Sequence, residues 1–292
     1  MIALCVVGII ILAAVLVYAF LTFPECRRVP RKYLRDYAHR GLHGAVSPEE
    51  SAKTAPEQTN RAEASGGQTC LIPENSLAAF RRAALRGYAV ELDLQLSRDG
   101  VVYVFHDYDT GRMTGHSGKL SEMTSDEIDS LRLEGTDERI PRFSEVLSLI
   151  DHRVPILVEL KGESMDSFLC PKADELLRGY GEGYIVESFN PILLSWFRKN
   201  HPEVVRGLLY TNLVKSNGFK PLNVVLWGMF LNFLARPAFI AYDKETSESF
   251  PVRLACGLFG AERFVWTIKT PEEYEKNSAA HAIFEGFEPS ER

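Results

Sequence analysis

At 292 residues with 46% hydrophobic side chains, the chain can bury a sizeable core, enough for one α/β barrel of about 250 residues. A formal net charge of −6 excludes an extended nucleic-acid footprint, because phosphate binding needs a basic face that survives the overall acidity. The cysteines, Cys5, Cys26, Cys70, Cys170 and Cys256, are odd in number and form no CxxC pair, which excludes a disulfide framework and a zinc site.

From Met1 to Pro24 no side chain is charged, and this is long enough to cross a hydrocarbon core that needs about 20 residues. A secretory signal would want a basic start, a shorter apolar segment and a small-x-small cleavage site, none of which is clear here. Residues 1–24 are therefore read as a single transmembrane anchor and 25–36 as a basic linker. Arg27, Arg28, Arg31, Lys32 and Arg35 all follow the span, so the positive-inside tendency places the body on the cytoplasmic face, where these cations can rest on anionic headgroups.

From residue 37 to 292, short β-branched or aromatic runs alternate with helical patterns, the signature of repeated βα units. The predicted strands are "DYAHRG", "AVELDLQL", "VVYVFHD", "PILVELK", "GYIVESF", "VVRGLLY", "FIAYD" and "RFVWTI". Eight runs predict an α/β fold, a closed (β/α)8 barrel preceded by one transmembrane helix. Between them, "NSLAAFRRAALRG" is a helix that Asn75 or Ser76 caps and Gly87 ends, and "TPEEYEKNSAAHAIF" is a last helix opened by Thr270 and Pro271. The uncharged run from Pro221 to Ala235 reads as a buried barrel helix, with a helix dipping into the membrane surface as the alternative. Residues 44–70 are rich in Ser, Ala, Glu, Gly and Thr and read as a mobile excursion that borders the active-site end of the barrel.

Strand side chains two apart share a face, so "VELDLQL" groups Glu91, Asp93 and Gln95 away from Leu92 and Leu94. "PILVELK" adds Glu159 and Lys161 on one face of another strand. Three carboxylates pointing into a barrel are costly unless a cation neutralises them. Oxygen donors alone suit Mg²⁺ or Ca²⁺, not Zn²⁺. The alternative is a buried salt-bridge cluster made with Lys161 and Arg40, and the pattern by itself leaves both open. His39 and His106 tip the balance: each ends a predicted strand, where barrel active sites are built, and together they make a general acid and a general base. The remaining histidines are read as solvated or structural.

At this point the chain resembles the glycerophosphodiester phosphodiesterases. The matching stretches are "AHRG", "PENSLAAF", "VELDLQLSRDGVVYVFHD", "IPRFSEVL", "ILVELK", "VESFN" and "FVWTI", in order from Tyr37 to Ile268. The resemblance implies a (β/α)8 barrel, one divalent cation, and hydrolysis of a glycerol-linked phosphodiester to glycerol 3-phosphate and an alcohol. By motif it implies Glu91, Asp93 and Glu159 as metal ligands, His39 and His106 as the acid–base pair, and Arg40 and Lys161 as phosphate holders. Glu74 of "PENS" would orient Arg40 or complete the metal's surroundings, and Ser188 and Trp266 are candidates for the substrate pocket. The family usually passes from "HRG" to "PEN" in a few residues, so the 44–70 excursion departs from its pattern. The anchor adds lysophospholipids and other membrane glycerolipids to soluble diesters as expected substrates, with no nucleic-acid partner. Two other functions remain open: a non-hydrolytic membrane protein that binds diester headgroups, and a lyase that stops at a cyclic phosphate.

Overall fold

The computed structural model describes residues 2–25, 28–54, 69–162 and 167–290. Its strands are β1 (Tyr37–Ala38), β2 (Gly44–Val46), β3 (Cys70–Ile72), β4 (Ala89–Leu96), β5 (Val102–Val104), β6 (Ile156–Leu160), β7 (Tyr184–Ser188), β8 (Arg206–Tyr210), β9 (Phe239–Asp243), β10 (Glu262–Ile268) and β11 (His281–Phe284). Parallel pairing runs β1, β11, β10, β9, β8, β7, β6, β4, and β4 pairs with β1 to close an eight-stranded barrel. The helices pack around it, as in a TIM barrel.

Two strand assignments differ from the sequence reading. "VVYVFHD" is not a barrel strand: β5 returns antiparallel along β4, with Val104 opposite Leu94. A tight turn at Asp99–Gly100, with Gly100 at φ +83°, sends the chain back before any helix can form. The eighth barrel strand is instead β11, which the sequence reading placed inside the last helix. That helix covers only Pro271–Lys276, capped by Thr270, whose side chain accepts from Glu273 N–H. A four-residue strand reading "HAIF", directly after "NSAA", carries too little alternation to stand out.

Alternation along each strand sorts the core into two layers. Val90, Leu92, Val158, Leu160 and Val186 face outward, under helices such as Leu77–Leu85 and Phe143–Ile150. Tyr37, Ala89, Leu157, Ile185, Phe239 and Phe264 fill the lumen near the amino ends of the strands. A Cβ on Gly207 of β8 would lie 2.0 Å from the Phe239 ring, so this glycine lets the ring lie across the lumen. With that end plugged by apolar side chains, the next inward positions toward the carboxyl ends are Glu91, Asp93, Glu159 and Glu187.

Ile2–Thr22 is a helix long and apolar enough to cross a membrane, with mean hydropathy 2.8 over Cys5–Thr22 and almost none of that window covered by protein. Of the 44–70 excursion, β2 and β3 pair antiparallel at its two ends and residues 48–54 form a short helix. The rest, residues 55–68, lies outside the described residues. The Pro221–Ala235 run is not one buried helix but two short pieces, Pro221–Trp227 and Asn232–Ala235, and the first has no fully buried side chain.

Candidate active site

Register across β4 and β6 sets Asp93 beside Glu159, and the period of two sets Glu91 one layer below Asp93. The three buried carboxyl groups offer oxygens all within 4.8 Å of one another. Lys161, directly after β6, forms ion pairs through Nζ with Asp93 Oδ1 at 3.0 Å and with Glu159 Oε1 at 2.8 Å. Asn75 Nδ2 donates to Asp93 Oδ2 at 2.8 Å, and the backbone N–H of Arg40 donates to Glu91 Oε2 at 2.9 Å.

These contacts do not balance the charge. Burial, with the Asp93 and Glu159 charges nearby, holds Glu91 well above the usual carboxylate range, and burial pushes Glu159 up to about 7 despite Lys161. Burial acts the same way on Asp93, but Lys161, His106 and Arg40 overcome it and keep that group ionised. A cluster of hard oxygen donors with more acid than cation fits a divalent ion of the Mg²⁺ or Ca²⁺ type.

The turn after β1 supplies the next two groups. Arg40 sits at φ +54° and Gly41 at φ +78°, and a Cβ on Gly41 would be 2.9 Å from Ala79, so the bend needs glycine there. The same turn aims His39 and Arg40 at the rim. His39 Nδ1 lies 2.9 Å from Glu285 Oε2, just beyond β11. Burial pushes the His39 pKa down to about 4, only partly offset by Glu285, while the His39 hydrogen bond holds the Glu285 carboxyl low. A neutral imidazole facing an ionised carboxylate donates Nδ1–H, which leaves Nε2 as the acceptor. Arg40 Nη1 donates to Glu74 Oε1 at 2.9 Å, and its Nε lies 3.6 Å from Asp93.

His106 reaches the same rim from the opposite direction. Because β5 descends against β4, Phe105 N–H bonds Asp93 O at 2.9 Å, and His106 follows it immediately. Its Nδ1 lies 2.6 Å from Asp107 Oδ1, and burial lowers its pKa, with Asp93 opposing. Arg112 then ties Asp107 to Glu74, at 2.5 Å from each. Glu74 therefore contacts Arg40 and Arg112 and lies outside the carboxylate triad.

Ser188 is buried on the outward face of β7. Its hydroxyl donates to Leu160 O at 2.8 Å and accepts from Asn190 N–H at 3.0 Å. Its neighbour Glu187 takes the inward position, opposite Glu159 in register, and burial raises its pKa well above the carboxylate range. Trp266 lies on the inward face of β10, donating from Nε1 to Ala241 O at 2.8 Å, with its ring edge-on to Phe189.

The sequence reading did not single out Glu285, Asn75 as an Asp93 partner, Asp107, Arg112 or Glu187. Glu187 was the most accessible, because "YIVES" places it in phase with inward Ile185. Glu285 was hidden by the helix assigned over β11.

The sequence model described as the glycerophosphoryl diester phosphodiesterase family matches residues 39–279. A glycerophosphodiester phosphodiesterase of Caldanaerobacter subterraneus is 31% identical over 228 residues, covering 72% of this chain and 86% of that protein. Glycerophosphodiester phosphodiesterase 1 of Bos taurus is 31% identical over 189 residues, 59% of this chain and 54% of its own length. The chain thus spans about half the length of that mammalian relative. Among solved structures, an Oleispira antarctica phosphodiesterase in complex with the product sn-glycerol-3-phosphate superposes with a TM-score of 0.65 at 22% identity, covering 86% of this chain and 92% of the other. At that identity the likeness shows the fold.

Proposed function

The chain belongs to the glycerophosphoryl diester phosphodiesterase family and is a phosphoric diester hydrolase, and from that premise we propose that it cleaves glycerophosphodiesters to glycerol 3-phosphate and an alcohol, with His39 and His106 as the proton carriers. The observation that carries the reading is the gathering, on one barrel rim, of Glu91, Asp93 and Glu159 with two histidines, His39 and His106, each held through Nδ1 by a carboxylate.

In this reading Glu91, Asp93 and Glu159 hold one Mg²⁺ or Ca²⁺, which when bound supplies positive charge against the diester oxygens. Arg40 and Lys161 add fixed cationic charge beside the same oxygens. One histidine, neutral with Nε2 free, takes the proton of the glycerol 2-hydroxyl as its oxygen bonds to phosphorus, and the other, which enters the step as the imidazolium, gives its Nε2 proton to the alcohol as its bond to phosphorus breaks. The hydroxyl is tethered to the phosphate it attacks, so little further entropy is lost on the way to the transition state. Water then opens the cyclic phosphate, with the histidines exchanging roles. Glu285 and Asp107 orient the two imidazoles through their Nδ1 atoms, leaving each Nε2 to the substrate. Glu74 positions Arg40, and Trp266 borders the substrate.

The helix Ile2–Thr22 acts in this reading as a membrane anchor, and the cations Arg27, Arg28, Arg31, Lys32 and Arg35 that follow it in the sequence support a cytoplasmic barrel. An anchored barrel has access to lysophospholipids and other membrane glycerolipids as well as to soluble diesters.

The test is turnover of glycerophosphocholine followed by phosphorus NMR. His39→Ala and His106→Ala are each expected to lose activity by at least about 100-fold, the lower range for general acid–base groups. EDTA is expected to abolish it and Mg²⁺ or Ca²⁺ to restore it. Near-full turnover in either variant sinks the histidine roles. Accumulation of the cyclic phosphate would establish a lyase, and binding without turnover a headgroup-binding protein.

A further inference from the structure

The anchor helix does not leave the barrel at random. Its end is tied to the amino ends of the strands: Arg206, the first residue of β8, donates from Nη2 to Glu25 Oε2 at 2.8 Å, and Glu25 N–H bonds Pro237 O just before β9. Phe23 packs on Phe259, three residues before β10, with ring centroids 4.9 Å apart.

Moving back along the helix means moving up the barrel. Tyr18 stacks on Phe250 at 6.0 Å and bonds Gly228 O through its hydroxyl at 3.3 Å. Phe250 and Gly228 belong to the connections that follow β9 and β8, at the carboxyl ends where the site lies. The rungs Phe23–Phe259 and Tyr18–Phe250 therefore fix a direction. The rest of the anchor, Ile2–Val17, rises for about 24 Å beyond Tyr18 on the side of the catalytic rim.

The whole helix of 21 residues is about 31 Å long, which matches a hydrocarbon core of about 30 Å with nothing to spare. Tyr18 lies four residues, or about 6 Å, inside that span. The parts of the barrel that Tyr18 holds are therefore kept against the monolayer that the helix enters.

The chemistry of that edge suits a monolayer. Phe219 is 85% exposed, Leu222 59% and Phe250 66%. From Thr211 to Ala235 the chain carries Lys215 and Lys220 and no acid, and Arg253 is exposed on the turn after Phe250, with Glu248 the acid closest to it in sequence. Bulky apolar side chains beside cations, continuous with an apolar helix, match lipid phosphates over acyl chains better than they match a protein surface.

We propose that the catalytic rim faces the monolayer from which the anchor emerges, with Phe219, Leu222 and Phe250 inserted among the headgroups, so that the site draws its diester directly from lipid held in that monolayer. The proposal rests on the anchor reading above and adds an orientation to it.

The test uses the full chain in phosphatidylcholine vesicles containing brominated lipid. Cys5, Cys26 and Cys70 are replaced by serine, buried Cys170 and Cys256 are kept, and an environment-sensitive fluorophore is placed at Phe219→Cys, Leu222→Cys, Phe250→Cys or, at the opposite end of the barrel, Glu203→Cys. Blue-shifted emission with loss of intensity to bromine at 219, 222 and 250, and water-like emission at 203, is the expected pattern. Water-like emission at 219, 222 and 250 in protein that still sediments with vesicles overturns the orientation and leaves the anchor standing. Failure to sediment overturns both and leaves the hydrolytic reading intact. As an independent arm, the triple variant Phe219→Ser, Leu222→Ser, Phe250→Ser is expected to lose at least tenfold in turnover of vesicle-held lysophosphatidylcholine while soluble glycerophosphocholine is cleaved at the parental rate. Equal rates on the lipid in variant and parent overturn the proposal.

Discussion

Glu285 offers a sharp test of the proposed reaction, in which it acts only through His39. Its carboxylate accepts from His39 Nδ1 at 2.9 Å and is also within 3.2 Å of Lys269. When His39 takes a proton, that contact becomes a charge-assisted bond, so Glu285 stabilises the charged form that proton transfer creates. A hydrogen bond to a charged group contributes about 1.5–3 kcal/mol and a neutral one about 0.5–1.5 kcal/mol. Glu285→Gln, which keeps a neutral partner, should lower kcat by about 5- to 12-fold, and Glu285→Ala by about 10- to 150-fold, at 1.4 kcal/mol per decade. The KM for glycerophosphocholine should change little. The pH dependence moves in a determined direction. Burial outweighs the groups that oppose it and leaves His39 at about 4, and the Glu285 hydrogen bond is the largest of those opposing groups, ahead of Asp93. Removing the carboxylate lowers the value further, so if His39 is the base, the acid limb of the kcat profile shifts to lower pH. Stability follows the same sign: between pH 6.5 and 4 the unfolded chain takes up a proton that buried His39 refuses, and stability is lost as pH falls through that window. Steady-state kinetics of the two variants from pH 4 to 9 would check all of this. Unchanged kcat in both, or a loss confined to KM, would refute a role for Glu285 in holding His39.

Asn75→Ala should destabilise by about 2–4 kcal/mol in denaturant melts, because it removes the bond to Asp93 Oδ2 and puts a Cβ without an amide at φ +54°; Asn75→Gly keeps the backbone free, so the difference between the two isolates the strain. With EDTA present, Glu159→Gln should raise the melting temperature, because burial already disfavours the charged Glu159 carboxyl and Asp93 keeps Lys161 paired, and it should also abolish the upshift expected of the parent with Mg²⁺ or Ca²⁺, about 2.7 kcal/mol at 100 times Kd. Arg206 is 1% exposed and binds Glu25 together with the carbonyls of Val204 and Ala235, so Arg206→Ala should cost about 3 kcal/mol, at the low end for a broken buried pair because Glu25 reaches water. Gly207→Ala places a Cβ 2.0 Å from the Phe239 ring and should cost at least about 1–3 kcal/mol, read by thermal unfolding in detergent.

What was legible in the sequence is what two short strands could state alone. In "VELDLQL" and "ILVELK" the period of two puts the acids on one face and the aliphatics on the other, and no partner strand is needed to see it. What stayed hidden depends on contacts between segments distant in the chain. β5 looks like any barrel strand by composition, and only its antiparallel pairing with β4 shows that it is an insert. β11 looks like the tail of a helix until its pairing with β1 and β10 makes it the closing strand. The two errors compensated in strand count, which is why eight runs still predicted a barrel of eight. They did not compensate at the site. Missing β11 hid Glu285, 246 residues from His39, whereas misplacing β5 left His106 on the correct rim, because a hairpin that returns to the strand end delivers its last residue to the same level.

Glu187 shows why such a layer points to chemistry. Register carries it around the barrel from Glu159, so β4, β6 and β7 together place Glu91, Asp93, Glu159 and Glu187 at neighbouring inward positions above an apolar plug. Leucine or valine at these positions would fill the lumen as well and would avoid the desolvation that raises Glu91, Glu159 and Glu187. Folding therefore does not account for the acids, and Lys161 and Arg40 are too few to neutralise them. A divalent cation held by Glu91, Asp93 and Glu159 would offset that cost, on the side of the lumen that Phe239 and Phe264 do not close.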